Sequence, residues 1–319
     1  MACRVLLLSL VVNFLIADTV KFGGELYMDS QNAQNIGMGG YSASFSDGRN
    51  PALLIHAHEP YVQFSHKNKF DGLARVSSLS YLYYGSINGK QSPIYFSIIN
   101  RNVNNIPDTR DAWIDDGDLN PERGEINYFN INEISQNEIG LKVSFLRKYD
   151  KFALGISIKP TYTNLAEYSA WGFSGDIAAI VPLSKNKMEF SLRAEDIIGF
   201  KRWNTRADET NMPLIIAGGQ IQTSSLLLGI EAGSRLEDNY QLNYHAGFEF
   251  HQNEEMVIIR GGISHDKLFC LGIGLDINLI HIDYAYSHPL KTSPFKPSHV
   301  VSVGISLSKF DQIKGKVTS

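Results

Sequence analysis

Two short stretches of this chain gather the residue types that hold metals. His56-Ala57-His58-Glu59 offers two imidazoles and a carboxylate, while Asp115-Asp116-Gly117-Asp118, with Glu122 and Glu125, collects hard oxygen ligands of the kind calcium takes. Neither has the spacing of a known site. The histidines stand two apart in what reads as an exposed loop, and the acidic run misses the EF-hand pattern, so it reads as a solvated acidic loop. No metal and no other cofactor is expected. The sequence holds no G-x-S-x-G elbow, no Walker loop, no H-E-x-x-H helix and no paired-cysteine metal site. An enzyme is therefore not expected.

The remaining chemistry lies in charges. Glu138, Lys142, Lys159, Asp176, Glu189, Arg193, Glu195, Glu231, Arg260, Asp276 and Asp283 form an inward set of both signs, suited to pairing across a wet interior or against a plug. Structural pairing is the commoner use of such residues. A guanidinium fork also matches a carboxylate bidentately, so Arg193 and Arg260 could meet an anionic amphiphile.

The elements that must position these charges are strands. Leu242, Tyr244, Ala246, Phe248 and Phe250 alternate with Gln241, Asn243, His245, Gly247 and Glu249, the period of a strand with one face in an apolar medium and one in a polar medium. The same rhythm sets Met188, Phe190, Leu192 and Ala194 against Glu189, Ser191, Arg193 and Glu195, and Phe269, Leu271, Ile273 and Leu275 against Cys270, Gly272, Gly274 and Asp276. About fourteen such segments lie between residues 61 and 310, an even number that suits a closed antiparallel transmembrane β-barrel. Short connections at Leu146 to Asp150, Ser184 to Lys187 and Thr223-Ser224 read as tight turns, whereas Arg101 to about Asn130 and Phe200 to Met212 read as long loops. A soluble β-sandwich or propeller also alternates. Its central strands would be apolar on both faces, yet here the second face stays glycine, serine or charged. Tyr83, Tyr84, Trp171, Trp203, Tyr240 and Tyr286 fall near strand ends, as an interfacial girdle would.

Composition narrows the class further. With 29 Lys and Arg against 33 Asp and Glu over 319 residues, the basic excess that binds phosphate backbones is missing, and nucleic acid is not expected as a partner. Beyond the first 20 residues nothing approaches the ~20 apolar residues of a membrane-spanning helix. Residues 1–17 read as a signal peptide: Arg4 precedes the apolar run Val5 to Ile16, and Ala17 is a small residue at the cleavage point. Its loss would leave Cys270 alone, with no partner for an intrachain disulfide.

Ala33-Gln34-Asn35-Ile36-Gly37-Met38-Gly39-Gly40, then Ser46-Asp47 and Asn50-Pro51-Ala52-Leu53, resembles the N-terminal segment of the PorV/PorQ family, which is related to the FadL-type fatty-acid channels. Gly272 to Asp276, Ile282 to Tyr286 and Ser298 to Leu307 resemble that family's closing strands. The resemblance implies an N-terminal hatch at 18–55 that partly blocks the lumen, with Gly37, Met38, Gly39, Gly40, Asn50 and Pro51 at its centre. A transmembrane barrel would follow at 56–310, and a tail at 311–319. It implies an outer-membrane location among lipid and two roles: passive transport of hydrophobic or amphipathic solutes, or a non-enzymatic part in type IX secretion beside other secretion proteins. A soluble secreted β-protein that binds a ligand is the third reading.

Overall fold

A computed structural model describes residues 25–28, 31–42, 48–87, 89–114, 117, 123–184, 187–236, 242–252, 256–290 and 296–308. The expected signal peptide, residues 18–24, 29–30 and 43–47 of the expected hatch with its Ser46-Asp47 pair, Asp115, Asp116, Asp118 and Glu122 of the acidic loop, Tyr240 and the tail lie outside them.

Fifteen strands follow one another among the described residues: β1 (Tyr61–Lys69), β2 (Ala74–Ile87), β3 (Lys90–Asp108), β4 (Asn132–Lys148), β5 (Ala153–Leu165), β6 (Tyr168–Ser184), β7 (Met188–Trp203), β8 (Asp208–Thr210), β9 (Leu214–Gln222), β10 (Leu226–Arg235), β11 (Leu242–His251), β12 (Val257–Ser264), β13 (Leu268–Ile277), β14 (Ile280–Pro289) and β15 (Ser298–Ser306). All pairings are antiparallel, β1 pairs with β15, and the pairing of β6 with β7 closes the ring. The result is a closed barrel of fourteen strands, with β8 hanging outside it on the upper part of β7. One closed sheet replaces the two stacked sheets of a sandwich. Closure leaves no long unpaired edge, the condition for a sheet to stand in a medium that offers no hydrogen bonds.

The alternation read from the sequence is the barrel wall. On β11, Leu242, Phe248 and Phe250 are 64%, 40% and 42% exposed, whereas His245 and Glu249 between them are 8% and 6% exposed. Phe64, Leu79, Ile98, Ile156, Ile230 and Ile273 repeat the outward exposure around the ring. Such a belt would aggregate in water and is stable where hydrocarbon covers it. Among the described residues no helix is long and apolar enough to cross a membrane, so any crossing is made by strands.

Connections differ by end. Residues 88–89, 149–152, 185–187, 223–225, 252–256 and 278–279 join strands at the end where β1 begins and β15 finishes, and the longest connection, 109–131, is at the other. Three expectations change in detail. β3 runs on to Asp108, pairing Ile106 with Ile134 and Asp108 with Asn132 across a bulge near Asn105 (φ 56°), so the loop expected from Arg101 starts later. The polar run Asn102 to Asn105 hid this, because a backbone ladder persists without alternating side chains. Likewise β7 continues to Trp203 and β8 pairs back onto it inside the expected loop Phe200 to Met212. Tyr83 and Trp171 do face outward, but Tyr84 turns inward against the core around Leu82, and the Trp203 indole donates to Glu209.

The described residues before β1 lie against the inward face of the barrel at several places round the ring. Helix α1 (Glu25–Met28) buries Leu26 and Tyr27 against Val76 of β2 and Ile99 of β3, and the Tyr27 hydroxyl donates to the carbonyls of Leu141 and Pro160 at 3.0 Å each. Helix α2 (Ala33–Gly37) packs Ala33 and Ile36 on Ala285 of β14 and Val300 of β15, across β1 from the α1 contacts. A 3-10 turn at Pro51–His56, capped by Asn50 and opened by Pro51, buries Leu53 and Leu54 against Leu82, Tyr95, Leu146 and Ile180. Asn32 caps α2 by accepting from the Asn35 amide at 3.0 Å and donates to Gln63 of β1 at 3.2 Å. Asn32→Ala removes the cap and leaves a buried amide short of a partner, so thermal unfolding in detergent should show a loss of about 1–2 kcal/mol.

Candidate functional site

The enclosed space is filled, and its charges are paired. Arg193 of β7 donates through Nε to Glu195 at 2.7 Å and through both terminal nitrogens to Glu231 of β10 at 2.7 and 3.0 Å. Arg49, from the segment before β1, reaches Glu195 at 3.5 Å. Lys159 of β5 sits 2.6 Å from both Asp176 and Asp196, and Glu138 of β4 meets Arg101, Lys201 at 3.2 Å and Thr163 at 3.1 Å. Across the lumen Arg260 of β12 joins Glu249 at 2.5 Å and Asp283 at 2.6 Å. Lys142 and Lys159 each place an ammonium 5.3 Å from the Tyr27 ring. Glu189 receives Gln220 at 2.9 Å and stands 2.8 Å from His56. Asp276, at the turn end of β13, remains 43% exposed beside His281 at 3.9 Å.

The expected inward set is thus buried and joined into networks except for Asp276, which sits half in solvent, and Glu189, which is only partly covered. The forks of Arg193 and Arg260 are occupied by protein carboxylates, which is structural pairing and not a docking place for a ligand carboxylate. Glu249, already on the polar face of its segment by alternation, belongs to the same networks, as do Arg49, Arg101, Asp196 and Lys201, which escape a reading by alternation. Asp196 follows Glu195 directly and both are buried, because Asp196 adopts φ 54° and the register shifts opposite it between Gly175 and Ile177. Of the two metal candidates, His56 faces Glu189 and Glu59 accepts from Ser306 at 2.6 Å and from Ser308 at 2.5 Å. Among the described residues no group of three or more His, Cys, Asp and Glu side chains could hold a metal ion.

The wall itself changes character at β10, β11 and β12. Gly229, Gly247 and Gly262 lie side by side in register on the inward face. The segment Met38 to Tyr41 presses against them: a methyl group at Gly229 would sit 2.1 Å from the Tyr41 ring, one at Gly247 2.3 Å from the Met38 carbonyl oxygen, and one at Gly262 2.2 Å from the Met38 carbonyl carbon. Only backbone separates the segment from the outside here. Gly39 and Gly40, at φ 75° and 83°, make the bend that lets the segment follow the wall, and His245 bonds the Gly39 oxygen at 2.7 Å. Tyr41 donates to the Gly219 carbonyl at 3.2 Å. On the outer side of this thin panel is a depression of about 780 Å³, walled by Phe190, Leu228, Ile230, Phe248 and Ile263.

No protein-family model and no curated protein matches the sequence. Solved structures do match. The crystal structure of the toluene transporter TodX of P. putida aligns with a TM-score of 0.59 at 12% identity, over 88% of this chain and 99% of that one. A second crystal structure of the Pseudomonas putida transporter gives 0.58 at 11% identity over 90% and 99%. A TodX mutant described as a monoaromatic hydrocarbon channel gives 0.59 at 11% over 88% and 100%. This barrel has the fold of a toluene transporter. The likeness extends over 88–90% of this chain and is one of fold, and the exposed apolar belt gives the barrel an outer wall suited to hydrocarbon.

Proposed function

We propose that this chain is an outer-membrane barrel of PorV/PorQ type that passes hydrophobic or amphipathic solutes passively, with residues 18–55 as its hatch. The observation that carries this reading is the glycine panel of β10 to β12, with an apolar depression outside it and Met38 to Tyr41 against it inside. A lumen filled with buried ion pairs is a poor path for an apolar solute, because entering it would separate charges that have no water to replace their partners. The panel offers apolar side chains outside and no side chain in the wall. A solute held there needs the β10 to β12 ladder to part locally and the hatch to move, and in the glycine row neither step is opposed by a side chain of the wall. The fold likeness to a channel for monoaromatic hydrocarbons supports the same class of solute.

Toluene uptake by whole cells tests the proposal. Cells that carry the protein in the outer membrane should take up labelled toluene several-fold faster than cells without it, and heat-modifiable migration of the extracted protein verifies the barrel. Equal rates, with the barrel folded, overturn the transport reading.

A further inference from the structure

We propose that the outer wall beside the β4–β5 turn holds an anionic glycerophospholipid of the leaflet that meets the short-turn end of the barrel. A groove of about 880 Å³ lies there on the outer surface. Its upper part is apolar, with Phe145 paired to Ile156 across β4 and β5, both outward and 38% and 52% exposed. Its lower part is basic: Arg147, Lys148 and Lys151 line it and are all exposed, against one acid, Asp150. Between the two parts Tyr149 and Phe152 stack at 4.8 Å and 17°, and the Arg147 guanidinium lies 5.6 Å from the Tyr149 ring.

Three features together select the occupant. First, none of Arg147, Lys148 and Lys151 has a carboxylate partner among the described residues, whereas the buried bases Lys159, Arg193 and Arg260 are all paired. Second, the basic end is continuous with the apolar belt, so a ligand that fills the groove must be charged at one end and hydrocarbon at the other. Free phosphate would leave the Phe145 and Ile156 end empty. Third, this turn with its flanking Arg147 and Lys148 is one of two basic turns at this end, 185–187 with Lys185 and Lys187 being the other, whereas 223–225, 252–256 and 278–279 contain no basic residue. Stacked aromatic rings at the level where the belt ends mark the headgroup boundary, and an arginine fork with two lysines suits a phosphate oxygen set. An excess of cations over the single acid favours a net-negative headgroup above a zwitterionic one.

The inference rests on the membrane reading of the belt, and the test separates the two. Full-length protein is reconstituted with equimolar phosphatidylglycerol and phosphatidylcholine, extracted in mild detergent, and the retained lipids are counted by native mass spectrometry. Phosphatidylglycerol should be retained about tenfold over phosphatidylcholine. R147Q/K148Q/K151Q should bring the ratio near one while migration remains heat-modifiable, and Lys296→Gln at the opposite end should leave it unchanged. An even ratio in the unaltered protein, or a preference that survives the triple substitution, overturns the lipid site alone. Failure to float with vesicles overturns the membrane reading and the site with it.

Discussion

Gly262→Val is expected to drive the Met38 to Tyr41 segment off the barrel wall and raise ion conductance in planar bilayers about tenfold or more over the unaltered protein. A side chain at Gly262 meets Met38 backbone at 2.2 Å, and one at the paired Gly247 meets it at 2.3 Å. Backbone atoms cannot rotate aside as a side chain can, and overpacking of this kind costs about 1–3 kcal/mol. The segment is the part that can yield, because each barrel strand is held by ladders on both sides while the segment is held here by the His245 and Tyr41 hydrogen bonds. Gly304→Ala is the matched control: it also faces inward, but a methyl group there finds its nearest neighbour at 3.8 Å. Conductance of Gly262→Val no greater than that of Gly304→Ala would sink the idea that this segment closes the barrel.

Arg193→Ala should be the most damaging single charge removal in the protein. Its guanidinium is almost fully buried and is shared by Glu195 and Glu231, so truncation leaves two buried carboxylates with Arg49 as their nearest remaining cation. Breaking a buried pair in this way costs about 3–5 kcal/mol. The temperature at which the folded band converts to the unfolded one on unboiled gels should fall by many degrees. Arg193→Lys should recover only part, since one ammonium cannot make both the Nε contact to Glu195 and the fork to Glu231. Arg202→Ala, which removes an exposed pair with Asp208, should leave the conversion temperature unchanged. If both alanine variants convert at the same temperature, the interior network is not what holds β7 to β10.

Reading by period succeeds on β11 and fails at Asp196 for one reason. Where the environment differs across the sheet, side-chain type reports the face directly, as Phe248 against Glu249 does. At a bulge the period breaks, and Glu195 and Asp196 point the same way although they are adjacent. Beyond the belt, at Asn102 to Asn105, both faces meet polar surroundings and the sequence has no contrast to report.

The residues alone determined the kind of wall: extended segments with one apolar and one polar side, of a number that can close. Alternation also marked buried charges such as Lys159, Arg193 and Arg260, because solvent contrast acts on each residue separately and leaves its mark locally, but it missed Asp196 at the bulge. Tertiary structure decided who meets whom. That Arg193 is taken by Glu231, that Gly229, Gly247 and Gly262 stand in one row, and that Met38 fits behind them depend on strand register around a closed ring. Register is a relation between residues far apart in the chain, set by all the pairings at once, and no local spacing encodes it.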